Sequence, residues 1–178
     1  MRYPLELLKE ITEEDIGLKP CKADSYRLRR TSRAVVLDPK GKVVLMYSPK
    51  MNLFWTPGGG IEEGESAEDA LRREVLEEVG CRVRIDCGVG VNIEYENSYG
   101  FLGISFCFLA HTVGRFKKPE LTEFEASAGA VPEWRENISD AIMAIRGNQT
   151  SKHGELFAKE SDTAFLEKAK SILAHRRD

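Results

Sequence analysis

Three glutamates near the end of one predicted helix are the residues of this sequence best suited to chemistry. Glu74, Glu77 and Glu78 fall within an arc of about 100° on an α-helix. Like charges at this spacing repel each other by roughly 0.2–0.5 kcal/mol per pair. Carboxylate oxygens that converge on one helix edge favour a hard divalent cation such as Mg²⁺ or Mn²⁺. The spacing therefore predicts a metal site on this edge of the helix.

A glycine-rich loop precedes this helix and supports the same interpretation. Residues 57–60 read Pro-Gly-Gly-Gly, which lets the backbone come close to the helix and offers carbonyl oxygens to a cation. Ser66 and Asp69 have the spacing of a capping box at the helix start, and Gly80 has the position of a C-terminal cap. A glycine-rich loop alone is commonly a simple turn. The prediction of a metal site therefore depends on the fixed spacing between this loop and the acidic helix.

From position 59 to position 81 the sequence resembles the Nudix box. That motif reads Gly, five residues, Glu, seven residues, Arg-Glu, an aliphatic residue, any residue, Glu-Glu, any residue, Gly and an aliphatic residue. The matching positions are Gly59, Glu65, Arg73, Glu74, Val75, Glu77, Glu78 and Gly80. Cys81 stands at the last aliphatic position, which is a mild departure because cysteine behaves as a small buried hydrophobe.

The resemblance implies an activity and a role for each residue of the motif. Nudix enzymes cleave a nucleoside diphosphate linked to another group and use Mg²⁺ or Mn²⁺. The expected metal ligands are the Gly59 carbonyl and the carboxylates of Glu74, Glu77 and Glu78, and the expected catalytic residues are Glu65, Arg73, Glu74 and Glu77. In this scheme Arg73 pairs with Glu65 and orients Glu74, and either Glu74 or a glutamate of a later loop takes the proton from water.

The resemblance also points to a further metal-binding glutamate on a loop upstream of Trp134. Residues 120–125 contain three glutamates. Glu125 is the first choice and Glu123 the second.

The identity of the substrate is predicted less sharply. Trp55, Tyr99 and Phe101 are expected to line a pocket for a base, although each also suits the packing of a core. Tyr99 lies about where the dinucleoside-polyphosphate group of the family has a tyrosine, and the compact chain resembles the MutT-type nucleoside triphosphate enzymes. We predict a nucleoside triphosphate or a related nucleotide. The alternatives are a dinucleoside polyphosphate, ADP-ribose, and a non-catalytic Nudix-like domain that binds a nucleotide.

Predicted strands and helices alternate along the chain, so we predict an α/β fold, a Nudix-type α/β/α sandwich with a mixed β-sheet. Residues 1–30 are predicted to form an N-terminal helical extension and residues 31–178 the Nudix hydrolase domain. The predicted elements are one or two helices over 4–16, with Thr12 and Asp15 spaced as a capping box, a hairpin over 32–49, a loop over 50–64, strands Arg82–Glu96 and Phe101–Val113, an irregular segment over 114–133, and helices over 139–146 and 162–175.

Composition narrows the partners and the compartment. The net charge of −3 over 178 residues gives no general attraction to polymeric nucleic acid or to acidic membranes. The four cysteines have no metal-ligand spacing, and the N-terminal residues lack the pattern of a signal peptide. We therefore expect a cytoplasmic protein with a nucleotide-type small-molecule substrate and no membrane partner. An apolar stripe over residues 165–173 is expected to pack on the same chain, with a homodimer contact as the alternative.

Overall fold

The computed structural model describes residues 3–176, apart from the side chain of Phe124. Within that range eight strands form one mixed sheet with helices on both faces, which confirms the predicted α/β/α sandwich. The strands are β1 (Leu7–Ile11), β2 (Arg27–Leu37), β3 (Val43–Ser48), β4 (Leu53–Trp55), β5 (Gly58–Gly60), β6 (Arg82–Glu96), β7 (Phe101–Val113) and β8 (Val131–Arg135). The helices are α1 (Ala67–Val79), α2 (Glu123–Ala128), α3 (Ile138–Arg146) and α4 (His153–His175), and Glu14–Ile16 and Asn97–Tyr99 form 3₁₀ turns. Over the same residues, no helix has the length and apolar character needed to cross a membrane.

Strand β2 is the strand around which the candidate site is organised. It pairs in parallel with β7 along its whole length, and its other edge pairs with β5 and then with β3. The sheet order is β1-β6-β7-β2-β3-β4, with β5 beside β2 and β8 beside β3. The predicted hairpin of β2 and β3 is confirmed, because Val36 lies opposite Val44. Asp38 closes its turn by accepting a hydrogen bond from the Lys42 N–H at 2.8 Å.

Each face of the sheet has its own apolar core. Helix α1 covers one face with Leu71, Val75 and Val79, which are buried in a cluster with Phe108 of β7. Helices α3 and α4 cover the opposite face through Ala141, Ile145, Phe165, Leu166 and Ala169. The stripe at the end of the chain therefore packs on its own sheet, as predicted.

The N-terminal segment differs from the prediction. A helix is predicted over residues 4–16, but the structure has strand β1 followed by one 3₁₀ turn. Ile11 of β1 is completely buried and lies opposite Glu94 of β6, so pairing and burial override the local helical pattern. The capping-box spacing of Thr12 and Asp15 marks only the 3₁₀ turn at Glu14–Ile16. Asp15 accepts a hydrogen bond from the Thr12 N–H at 2.9 Å, but no α-helix follows. The predicted helical extension is thus wrong for residues 4–16. Residues 1 and 2 lie outside the described range. The boundary between the predicted extension and the Nudix domain stays a prediction.

Three other segments contain more structure than predicted. The loop predicted over 50–64 includes the short strands β4 and β5. The segment predicted as irregular over 114–133 includes α2 and the start of β8. The last helix begins at His153 rather than near residue 162, because Phe157 is buried and holds the first turns of α4 on the sheet. These corrections matter because all three segments border the candidate site.

Gly80 gives a test of how α1 ends. Its φ is 75°, and a Cβ atom there would lie 2.2 Å from the carbonyl oxygen of Lys117. We expect Gly80→Ala to lower the free energy of unfolding by roughly 2–5 kcal/mol, because backbone strain and a steric clash act together. Urea denaturation measures this loss. Gly114 is the matched control, since its φ is 77° and no atom lies within 4 Å, so Gly114→Ala should show strain alone. Equal losses in the two variants would contradict the proposed clash.

Candidate active site

The glycine strand β5 lies directly against the edge of α1 that carries the glutamates. Gly59 is opposite Ser32 of β2, and a Cβ atom on Gly59 would lie 2.5 Å from Oε1 of Glu74. A contact that short is excluded for a carbon atom, so only glycine allows Glu74 to approach the strand so closely. The structure thus brings the predicted residues Gly59 and Glu74 together.

Arg73 clamps the loop and the helix together. Its Nε and one terminal nitrogen donate to the two oxygens of Glu65, both at 3.0 Å. These hydrogen bonds lower the pKa of the Glu65 carboxyl. The guanidinium also donates to Glu74 at 2.8 Å, to Glu77 at 3.3 Å and to the Gly60 carbonyl at 2.9 Å. The implied pair of Glu65 and Arg73 is therefore present, and Arg73 also holds the glutamate next to it in sequence.

Glu78 is a carboxylate inside the protein. Its side chain is 1% exposed, and its Oε2 accepts a hydrogen bond from the Gly58 N–H at 2.7 Å. Burial raises the pKa of Glu78 well above its usual range, and that hydrogen bond and the charge of Arg33 only partly oppose the change. A nearby cation would therefore stabilise the ionised form of Glu78 more than it would stabilise an exposed carboxylate.

A second helix brings a further acid to the same region. Burial raises the pKa of Glu74, and the charges of Glu77 and Glu125 raise it further, while Arg73 opposes them. Glu125 of α2 is half-buried, and its Oε2 accepts a hydrogen bond from the Thr122 N–H at 2.8 Å as part of a capping box. The same spacing occurs at residues 66 and 69, so this helix start could have been read from the sequence.

Glu123, the second choice for the extra metal ligand, is exposed at the start of α2. The charge of Glu125, by contrast, raises the pKa of both Glu74 and Glu78. This difference favours Glu125, and the role of either residue as a ligand stays a prediction.

The acidic residues have the oxygen donors that a divalent cation prefers, but their side chains do not form a preorganised coordination site. Over residues 3–176, no three His, Cys, Asp or Glu side chains are gathered closely enough to hold a metal ion. Instead, Glu74 is bonded to Arg73 and Glu78 to Gly58. Two carboxylates whose ionised forms are disfavoured by burial are stabilised by a cation placed between them. The oxygen donors therefore suit a hard cation, and the ligand set predicted from the family remains a prediction.

Arg33 was not singled out from the sequence. Its guanidinium donates to the Thr56 carbonyl at 3.2 Å and to the Gly58 carbonyl at 2.8 Å. It also lines a cavity of about 280 Å³ between the sheet and α4, together with Glu94, Phe101 and Asp162. The available signal was the run of five polar residues from Arg29 to Arg33, since every second residue of a strand lies on the same face and one of these faces is covered by a helix.

The three predicted base-binding aromatic residues are not gathered around one pocket. Phe101 lines the cavity beneath α4 and, together with Tyr99, a more open one of about 680 Å³. Tyr99 is 60% exposed and stands edge-on to the His153 ring. Trp55 lines a separate cavity of about 400 Å³ on the other side of Arg33. Their role in binding a substrate stays a prediction.

Comparison with known proteins agrees with this geometry. A family model described as a NUDIX domain matches residues 27–142, which is more than half of the chain. The chain belongs to the Nudix family. The matched Nudix region runs from the first residue of β2 into α3 and so contains the glycine strand, α1 and α2. Cys81, the one departure from the Nudix box, is 1% exposed, and burial raises the pKa of its thiol to about 11.

Individual relatives of this Nudix chain match shorter stretches. A Bacillus subtilis protein provisionally named 8-oxo-dGTP diphosphatase is 37% identical over 57 residues, which are 32% of this chain and 38% of that protein. The NAD-capped RNA hydrolase NudC of Pseudomonas fluorescens is 38% identical over 88 residues, which are 48% of this chain and 29% of that protein. The chain thus spans less than two fifths of the length of either relative. A solved Nudix hydrolase from Nitrosomonas europaea shares the fold, with a TM-score of 0.60 at 21% identity over 82% of this chain and 90% of that one.

Proposed function

We propose that this Nudix chain hydrolyses a pyrophosphate bond in a nucleotide-type substrate, a nucleoside triphosphate or a related nucleotide. The observation that carries the proposal is the close approach of Glu74 to Gly59 next to the buried Glu78, with Arg73 bonded to both Glu65 and Glu74. Both curated relatives named above are hydrolases of nucleotide-type substrates by name. Dinucleoside polyphosphates and ADP-ribose remain the alternatives within the same reaction class.

Glu74 is proposed to accept the proton of the attacking water. A general base works best when its pKa lies near the working pH, and burial shifts the pKa of Glu74 in that direction. Arg73 holds one oxygen of Glu74, so the carboxylate is fixed in place while its other oxygen remains free to take the proton. Glu65 in turn fixes Arg73 with two hydrogen bonds. These residues orient the base rather than react themselves.

Mg²⁺ or Mn²⁺ is the proposed cofactor. The carbonyl of Gly59 and the carboxylates of Glu74, Glu77 and Glu78 would hold it, with Glu125 contributed from α2. When bound, a divalent cation neutralises phosphate charge and lowers the pKa of water, which makes water a better nucleophile near neutral pH.

The cation requirement gives a direct prediction. Chelation with EDTA should abolish hydrolysis, and added Mg²⁺ or Mn²⁺ should restore it. In Glu77→Gln the half-saturating Mg²⁺ concentration should rise roughly tenfold or more, because the site loses one charged oxygen ligand. Binding of Mn²⁺, followed by electron paramagnetic resonance, measures the same loss without turnover. Unchanged Mn²⁺ binding in this variant would remove Glu77 from the ligand set.

A substrate panel tests the reaction itself. The purified chain is offered nucleoside triphosphates, oxidised deoxynucleoside triphosphates, dinucleoside polyphosphates and ADP-ribose, and release of a nucleoside monophosphate is measured. Turnover of one class that is lost in Glu78→Gln is the expected result. Glu63→Gln is the matched control, since Glu63 is an exposed residue within the same motif. Nucleotide binding without turnover of any class would replace this proposal with that of a binding domain.

A further inference from the structure

Polar side chains occupy a face of the sheet that a helix covers. Strand β2 presents Thr31 and Arg33 on the face where its later residues Val35 and Leu37 are buried in the core beneath α3 and α4. Across the sheet, Ser105 of β7 lies opposite Thr31. Burying polar groups costs free energy unless they find hydrogen-bonding partners. A polar stretch within an otherwise apolar face therefore indicates a function other than core packing.

The cavity on this face is lined in part by residues with little or no side chain. Gly103 of β7 lies opposite Glu94 of β6, and its φ is outside the left-handed region, so the backbone alone does not require glycine there. A Cβ atom at Gly103 would lie 3.0 Å from Oε2 of Glu94. On the other side, α4 faces the cavity with the small residues Gly154 and Ala158. A side chain at position 103 would therefore press on the Glu94 carboxyl group, which forms part of the lining of this cavity of about 280 Å³.

The floor of the cavity has a hydrogen-bond acceptor without a donor in the described part of the chain. The Ser105 hydroxyl donates to Glu94 Oε1 at 3.0 Å, so the Thr31 hydroxyl, 2.8 Å away, donates to Ser105. Both hydroxyl protons are therefore used. Within the described part of the chain, no donor contacts Oε2 of Glu94, and Oδ1 of the fully buried Asn92 likewise has no partner. Asn92 lies opposite Ser105 and donates to Ser161 at 3.0 Å, so it supports two residues that line the cavity, while Glu94 itself presents the acceptor.

Arg33 and Gly58 connect the cavity with the glutamates, which lie on the other face of the sheet. Arg33, at the edge of the cavity, donates to the carbonyl of Gly58, and the N–H of the same glycine donates to Glu78. A substrate that extends from this glycine past Arg33 would place its nucleoside in the cavity, and the inference below takes this pose as its premise. The carboxylate of Glu94 repels a phosphate but accepts hydrogen bonds from N–H or O–H groups. Phe101, which also lines the cavity, offers an aromatic ring to a base.

We propose that Glu94 determines specificity by accepting two adjacent hydrogen bonds from the nucleoside part of the substrate. This inference rests on the proposed function of the neighbouring glutamates. Two nucleoside groups present donors side by side: the guanine edge with its ring N–H and amino group, and the cis-diol of ribose. Either group fits one carboxylate, because a carboxylate has about four lone-pair positions.

Binding of four monophosphates to Glu94→Gln tests the proposal. GMP, dGMP, AMP and dAMP are titrated calorimetrically in metal-free buffer, where hydrolysis does not occur. Glutamine has nearly the same shape but replaces one acceptor with a donor. If guanine is recognised, the variant should bind GMP and dGMP about 10- to 100-fold more weakly, with AMP and dAMP unchanged. If the ribose diol is recognised, GMP and AMP should lose affinity and the deoxy forms should not.

Controls separate this proposal from misfolding and from the proposed reaction. Glu10→Gln, at an exposed residue of β1 outside the cavity, should leave all four affinities unchanged. If Glu94→Gln fails to fold by circular dichroism, Glu94→Asp serves instead and should keep the wild-type selectivity at lower affinity. Equal loss for all four ligands, no loss for any, or no binding to the wild type would overturn the proposal. Selective binding by a chain that hydrolyses nothing would defeat only the proposed reaction, and turnover with uniform loss would defeat only the role of Glu94.

Discussion

Glu74→Gln is expected to lower kcat by about 10²–10⁴-fold when cation and substrate are both saturating. Glutamine keeps the size of the side chain and its hydrogen bond with Arg73, but it cannot take a proton from water. Burial raises the pKa of Glu74, which makes it a stronger base than an exposed glutamate, and the substitution removes this base. Saturating cation matters because it separates the transfer of the proton from any weakening of metal binding. Steady-state release of nucleoside monophosphate measures the effect.

The matched control for this prediction is Glu63→Gln, an identical change at an exposed glutamate of the preceding turn. Its kcat should stay within a factor of two of the wild-type value. If Glu74→Gln also stays within that range at saturating cation, Glu74 is not the base. Glu125→Gln then becomes the informative variant, because the charge of Glu125 acts on both Glu74 and Glu78.

Arg73→Met is expected to lower the free energy of unfolding by about 2–4 kcal/mol and to abolish most of the activity. The guanidinium makes five hydrogen bonds, to Glu65, Glu74, Glu77 and the Gly60 carbonyl. Methionine retains the apolar contacts of the stem but leaves two mostly buried carboxylates, with side chains 15% and 13% exposed, without their cationic partner. Urea denaturation measures the stability, and the substrate panel measures the activity.

Arg72→Met provides the comparison at the next residue. Arg72 is 42% exposed and pairs with Asp69, which is 68% exposed, so its loss should cost less than about 1 kcal/mol. A double-mutant cycle with Glu65→Gln isolates the pair of Arg73 and Glu65 from the other contacts. If Arg73→Met and Arg72→Met lose equal stability, Arg73 does not clamp the loop to the helix.

The glycine strand and α1 were predictable because their signals lie within a few residues of one another. Ser66 begins the helix through its hydrogen bond from the Asp69 N–H, and Gly80 ends it in the left-handed conformation. Between these caps, apolar and acidic residues follow the helical period. The pair of Glu65 and Arg73 was predicted from the family resemblance alone. The two residues are eight positions apart, and they come into contact only because the loop folds back on the helix.

The N-terminal strand and the start of α4 were not predictable in this way. The local pattern of residues 4–16 suits a helix, and only the presence of β6 alongside makes a strand more stable. The first turns of α4 come from a polar run that resembles a loop, and the burial of Phe157 on the sheet makes them helical. In both cases the deciding partner is distant in sequence.

The cavity beneath α4 could not be predicted from the sequence for a similar reason. Arg33, Glu94, Ser105 and Ser161 come from three strands and a helix, and no local motif connects them. The one local sign is the unbroken polar run from Arg29 to Arg33 in β2. That run is ambiguous in a sequence, because polar residues are mostly exposed and an exposed strand end gives the same pattern.

Strand β1 also constrains the order in which the molecule can be built. It is synthesised before the other described strands, yet Leu7 pairs with Val91 and Ile11 with Glu94. Its partner β6 is held on its other side by β7, which is synthesised later still. Contacts between residues so far apart in sequence form slowly, because a long loop must close before they can stabilise the chain. Strand β1 can therefore take its place only after β6 has been synthesised, and we expect it to complete this edge of the sheet late in folding.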